Sequence, residues 1–288
     1  MAKAGAKKQG ARQGFDYVGM LVKAALAEDI GSGDITTKAA IDNGAKGRAA
    51  VRAKEQLTLA GISVAVLVFK TFDKSLKCKT LVNDGKEVKK GASLMEVSGS
   101  LSSILTAERV ALNFLQRLSG IATLTSEYVK LAKGAGVKIL DTRKTTPCLR
   151  MLEKYAVKTG GGSNHRFGLF DAALIKDNHI AAAGSIKKAV ERVRRSIPHG
   201  TPLEVETETL KEVKEALDAG ADIIMLDNMS VAEMKKAVRL VSGRAFTEAS
   251  GGITLKNIAQ IAKTGVDCIS IGALTHSAPS VDISLDVL

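Results

Sequence analysis

The chain has 288 residues, 45% hydrophobic and 25% charged, a balance that belongs to folded globular proteins and excludes global disorder. Its longest nearly unbroken apolar run, residues 62–69, falls far short of the roughly 20 residues that a membrane helix requires, so no membrane span is expected. The formal charge is +12, and four of the basic residues (Lys3, Lys7, Lys8, Arg12) stand without acids in positions 1–13, read as a disordered, solvated tail.

A basic excess suits polyanions. Yet the chain has no Trp and only 7 Phe and 3 Tyr, with no interleaving of basic and aromatic residues. Base stacking on aromatic platforms is therefore not expected, and small anionic substrates are preferred over nucleic acid. Cys78, Cys148 and Cys268 are odd in number, widely spaced and free of any CxxC pair, which points to a reducing, cytoplasmic setting.

In chain order, residues 14–28 carry the spacing of an amphipathic helix, and EDIGSGDITT (28–37) is a glycine-punctuated loop. Segments 47–55, 56–59, 76–82 and 93–97 read as antiparallel strands, with a helix over 63–72 packed on them. A further helix from Leu105 to Leu118 sets Ala107, Val110, Ala111, Phe114, Leu115 and Leu118 on one side. Residues 14–118 are thus expected to form an α+β domain.

From residue 137 the pattern changes. Six short apolar runs (137–140, 172–175, 202–205, 222–226, 244–249 and 267–271) alternate with helical spacing, as βα units do. A barrel and a doubly wound sheet both fit; the barrel is preferred because polar residues close nearly every strand. The barrel domain is expected over 119–274, with 275–288 returning to the first domain.

Reactive groups of a βα barrel come from the carboxyl ends of its strands. Here those ends carry Asp141, Arg143 and Lys144, then Lys176, Asp177, Asn178 and His179, then Glu206, then Asp227. Arg143, Lys144, His165, Arg166 and Lys176 make an anion-binding set, since Arg pairs a carboxylate through two hydrogen bonds and Lys supplies a point charge. Arg150, Lys154 and Lys158 recur every four residues and read as a solvated helix face. Glu206 and Asp227 are hard oxygen donors suited to Mg²⁺ shared with water and a phosphate, with Glu204, Glu208 and Asp177 as alternatives. Glycine turns at EASGGIT (248–254) and SIGALTHS (270–277) offer backbone amides to a phosphate.

These stretches together resemble the quinolinate phosphoribosyltransferase family over residues 22–287. The most specific is LDTRKTTPCLRMLEKYAVKTGGGSNHRFGLFDAALIKDNHI (140–180), supported by EDIGSGDITT, ERVALNFLQRLSGIAT, LEVET, MLDN, EASGGI and IGALTHSAPSVDISLD. Cys148 departs from the pattern, which typically has glycine after TTP. The resemblance implies an open α+β sandwich domain followed by an incomplete, TIM-like βα barrel, in an α/β fold. It implies transfer of phosphoribosyl from phosphoribosyl pyrophosphate to quinolinate with decarboxylation, giving nicotinate mononucleotide for NAD biosynthesis. A related phosphoribosyltransferase on another pyridine or pyrimidine acid is the alternative.

The same resemblance assigns Arg143, His165, Arg166 and Lys176 to the quinolinate carboxylates. Lys144, Glu206 and Asp227 go to the phosphoribosyl group and Mg²⁺, and Ser250, Gly251, Gly272 and Ala273 to the 5-phosphate. Arg109 would enter the site of a second subunit, which implies a homodimer with shared active sites and leaves a hexamer open. Neither nucleic acid nor membrane is implied as a partner.

Overall fold

The computed structural model describes residues 17–288, so the basic tail of residues 1–13 lies outside the described residues. The elements are α1 (17–30), α2 (Ile35–Ala40), β1 (Lys46–Ala53), β2 (Leu57–Thr58), α3 (Ile62–Phe72), β3 (Lys77–Thr80), β4 (Glu87–Val88), β5 (Ser93–Ser100) and α4 (Leu101–Leu131). They continue as β6 (Lys138–Leu140), α5 (Arg150–Thr159), β7 (Ala173–Ile175), α6 (Asp177–Ala183), α7 (Ile186–Ser196), β8 (Leu203–Thr207) and α8 (Leu210–Asp218). Last come β9 (Ile223–Asp227), α9 (Val231–Val241), β10 (Phe246–Ser250), α10 (Ile258–Ala262), β11 (Cys268–Ser270), α11 (Ala273–His276) and β12 (Ile283–Val287).

Two compact units emerge. The first comprises residues up to Thr123, Pro147–Gly160 and Ala278–Leu288; the second comprises Leu124–Thr146 and Gly161–Ser277. In the first unit an antiparallel sheet has the order β12-β1-β5-β3. The C-terminal strand pairs with β1, for example Val51 opposite Leu285. The apolar side of α3 (Ile62, Val64, Ala65, Val68, Phe69) is buried, as are Ala107, Ala111, Leu115 and Leu118 of α4.

Three details of the first unit differ from the sequence reading. Helix α4 runs over 31 residues, well beyond 105–118, because no glycine or proline signal strong enough to stop it intervenes: Gly120 sits inside the helix. A Cβ there would lie 2.0 Å from the Pro279 carbonyl oxygen, so glycine is kept for a close backbone approach. Helix α5 belongs with this unit and is a solvated face only in part: Lys158 is exposed, but Lys154 is buried, and Glu153, fully buried, accepts two hydrogen bonds from Arg117 at 3.2 and 2.7 Å. Helix α1 reaches residue 30 and α2 starts at Ile35, capped by Asp34, which shortens the expected loop to residues 31–34.

The second unit holds six parallel strands in the order β6-β11-β10-β9-β8-β7. Each of β7 to β10 pairs with the next in sequence, and β6, the first, pairs with β11, the last. Winding never reverses, as it would in a doubly wound sheet; this is the circular order of a βα barrel. Among the described residues no ladder joins β6 to β7, and an isolated bridge between Leu140 and Ser163 extends the β6 edge instead. The barrel is therefore open. Its helices bury an apolar stripe against the sheet, such as Val213, Ala216 and Leu217 of α8, and begin with reciprocal caps, Thr209 with Glu212 and Ser230 with Glu233.

Candidate active site

Strand pleating puts alternate residues on the same face, so Glu204 and Glu206, Met225 and Asp227, and Glu248 and Ser250 all point one way. That way is inward. A cavity of about 460 Å³ at the carboxyl ends of the strands is lined by Thr142, Arg143, Lys144, His165, Arg166, Leu174, Lys176, Glu206, Met225, Asp227, Glu248, Ser250 and Ser270. Five basic residues and two carboxylates predicted from sequence thus share one hollow.

The position of His165 and Arg166 is fixed from β6. Fully buried Asp141 accepts the His165 amide at 2.9 Å and the Asn164 side chain at 2.5 Å. Its charge therefore serves the loop and not solvent. His165 Nδ1 in turn accepts the Arg166 amide at 2.9 Å, and its Nε2 stands 3.0 Å from Glu204. Arg166 donates from Nη1 to the Ala172 carbonyl at 3.0 Å, while its Nε is buried without a hydrogen-bond partner. Burial and then the nearby Arg143 charge hold the Arg166 guanidinium below its ordinary pKa. Two guanidiniums kept so close are a site prepared for an anion.

Lys176 ends β7 and forms an ion pair with Glu206 at the end of β8. Asp227, at the end of β9, accepts a hydrogen bond from Asn228 at 2.8 Å. Among the alternatives, Glu208 is exposed beside the α8 cap, and Asp177 opens α6 outside the cavity lining. Glu204 is buried on His165.

The predicted phosphate turns follow β10 and β11. Gly251 has φ +86°, and a Cβ there would strike the Asn228 side chain at 2.2 Å, so the turn after Ser250 requires glycine. Gly272 lies against Lys144, whose Cδ would be 3.1 Å from a Cβ at 272, and Thr275 donates to the Lys144 carbonyl at 2.7 Å. Gly251, Gly272 and Ala273 are outside the cavity lining proper, next to Ser250 and Ser270 within it. Arg109 is not brought to the cavity; it is an exposed residue of α4 in the first unit.

Sequence reasoning missed Glu248 at the cavity floor. It is 2% exposed, and its pKa is pushed up to about 7, first by burial and then by the Glu204 carboxylate. The signal was available: Glu248 precedes Ser250 by two, the same alternation that links Glu204 to Glu206. Cys148 has φ +65°, the left-handed region that glycine enters without strain and a cysteine side chain does not.

Comparison with known proteins agrees with this geometry. Residues 34–119 match the quinolinate phosphoribosyl transferase N-terminal domain, and residues 121–286 match its C-terminal domain. A probable nicotinate-nucleotide pyrophosphorylase (carboxylating) of Bacillus subtilis is 46% identical over 260 residues, 90% of either chain. The Methanocaldococcus jannaschii protein of the same name is 45% identical, covering 95% of this chain and 98% of its own. The solved nicotinate-nucleotide pyrophosphorylase of Francisella tularensis superposes with a TM-score of 0.91 at 45% identity, over 95% of this chain and 96% of the other. With both domains matched and the charged cavity in place, the chain belongs to the quinolinate phosphoribosyltransferase family of NAD-biosynthetic enzymes.

Proposed function

We propose that this chain joins the ring nitrogen of quinolinate to the anomeric carbon of phosphoribosyl pyrophosphate, releasing pyrophosphate and then carbon dioxide to give nicotinate mononucleotide. The observation that carries this reading is one cavity in which Arg143, Arg166 and Lys176 stand among the carboxylates Glu206 and Asp227. A dicarboxylate and a pyrophosphate repel each other, and a site that holds them in contact must supply cations to both.

Arg143, Arg166 and Lys176 bind and orient the quinolinate carboxylates, with Arg166 already partly withdrawn from water. Orientation of this kind can lower a bimolecular barrier by about 7 to 11 kcal/mol. Lys144, exposed beside the turn at Gly272, neutralises charge growing on the departing pyrophosphate. Ser250, Gly251, Gly272 and Ala273 receive the 5-phosphate. Nitrogen attack makes the ring cationic, so the electron pair left on the ring carbon when the adjacent carboxylate departs as carbon dioxide is stabilised by that charge and then takes up a proton from solvent, and no protein nucleophile is needed.

Glu206 and Asp227 fit Mg²⁺ by their chemistry: two hard oxygen donors on one cavity wall, too few to satisfy the ion alone and so suited to one that shares water and phosphate oxygens. When bound, Mg²⁺ would neutralise charge on the leaving pyrophosphate. Glu206 is also ion-paired with Lys176, which orients the carboxylate. The second subunit of a homodimer would contribute Arg109. We place the protein in the cytoplasm, where its three free cysteines stay reduced.

The test is incubation of the purified protein with quinolinate, phosphoribosyl pyrophosphate and Mg²⁺. Nicotinate mononucleotide and carbon dioxide should appear in equal amounts. Nucleotide formed from nicotinate instead, with no carbon dioxide from quinolinate, would reassign the substrate.

A further inference from the structure

The reaction just described leaves two buried carboxylates of the second unit without a task. Glu204 is 4% exposed and Glu248 2% exposed, each one pleat below the layer that carries Glu206 and Ser250. Buried charge is costly unless something compensates it. Their common neighbour is His165: Nε2 lies 3.0 Å from Glu204 Oε2 and 3.6 Å from Glu248 Oε1. The other Glu248 oxygen faces Cys268 Sγ at 3.5 Å.

The tautomer of His165 follows from its other nitrogen. A backbone amide can only donate, so Nδ1, which accepts the Arg166 N–H, carries no proton. The ring proton is therefore on Nε2, directed at Glu204, and an imidazolium would set two N–H groups against each other. Both ring nitrogens are committed inside the protein. The same tautomer leaves Nε2 no lone pair for a metal, although potential ligand atoms of His165, Glu204 and Glu248 lie within 4.8 Å of one another.

We propose that Glu204 and Glu248 are positioning residues of the anion site: Glu204 accepts a hydrogen bond from the Nε2–H of His165 with Glu248 behind the same nitrogen, and the ring so fixed holds the Arg166 main chain with its side chain in the cavity. His165 then acts through Arg166 and not by a ring nitrogen on the substrate. This deepens the proposed function and rests on it in taking quinolinate as the anion.

The two roles of His165 predict opposite results. If Nε2 were a substrate contact, removal of Glu204 would free it, and quinolinate would bind as well or better. If it is a positioning group, Glu204→Ala lowers quinolinate affinity by about tenfold or more, as small misplacements of a binding group do, while the KM for phosphoribosyl pyrophosphate stays within about twofold. Glu204→Gln, which keeps an acceptor oxygen at the same place, should restore most of the loss. Nitrogen-15 NMR of His165 in the ligand-free protein should show a protonated Nε2 and an unprotonated Nδ1 in wild type and Glu204→Gln.

An imidazolium or an Nδ1–H tautomer in the wild type would overturn the proposal. So would undiminished quinolinate binding by folded Glu204→Ala. Should Glu204→Ala fail to fold, the wild-type and Glu204→Gln spectra still decide, since they require neither ligand nor turnover. Failure of the quinolinate reading would show separately, as no quinolinate binding by wild type.

Discussion

At the scale of single residues, the cavity is a balance between cations that await an anion and carboxylates that hold them meanwhile. Arg166→Ala and Lys176→Ala are each expected to abolish measurable quinolinate binding in calorimetry while leaving thermal unfolding near that of wild type, because both side chains end in the cavity. Unchanged affinity in either variant would remove that residue from the site. Glu248 gives a pH prediction. Its folded pKa, about 7, lies above the ordinary 4.5, so the folded state favours the protonated acid. The resulting stability is fully present below pH 4.5 and lost as pH rises through 7, by up to about 3 kcal/mol. Glu248→Gln cannot ionise, and should therefore gain about 2 kcal/mol on wild type between pH 5.5 and pH 8 in urea unfolding. A constant difference between the two proteins across that range would contradict a buried acid at this position. What sequence revealed at this scale was residue type at strand ends; what it hid was partner choice. Asp141 stands among the strand-end charges and Lys154 looks like solvated charge in the sequence, yet both are buried, because burial of a polar group depends on neighbours far away in the chain.

At the scale of elements, short apolar runs located all six barrel strands and the helix over α3, since an element buried on more than one face leaves a nearly continuous apolar stretch. Boundaries were less legible where a special residue sits inside an element. Gly120 lies two residues past the expected helix end at Leu118, yet it sits inside α4, where it makes a close contact. The same substitution should therefore have opposite signs in two helices. Gly120→Ala brings a Cβ into the Pro279 carbonyl and should cost about 3 kcal/mol, an overpacking that backbone cannot relieve cheaply. Gly19→Ala in α1 meets nothing within 4 Å and should stabilise by about 0.5 to 1 kcal/mol through helix propensity alone. Denaturant midpoints of the two variants check the pair, and a loss at both positions would show that Gly19 is constrained by something beyond helix propensity. The two-residue strand β4 escaped prediction for a simpler reason: two residues carry no period.

At the scale of the whole molecule, the sequence divides at different places from the chain in space. The change of pattern suggests a boundary at 118, whereas the first unit runs to Thr123 and takes in Pro147–Gly160, which the sequence hides because α5 is an ordinary amphipathic helix whose partner, Arg117, is remote in sequence. The catalytic assembly proposed above adds a further level. Arg109 is exposed on α4 and absent from the cavity lining, and its proposed role in the site of a second copy can be tested by mixing subunits. Arg109→Ala and Lys144→Ala subunits should each be inactive alone. Mixed in equal amounts under conditions of subunit exchange, they form heterodimers in which one site has lost both residues and the other has neither substitution. Half of the dimers then carry one intact site, and activity should return to about a quarter of wild type if subunits pair at random. Heterodimers verified by differential tagging yet inactive would exclude a shared site and return Arg109 to the solvated surface of its helix.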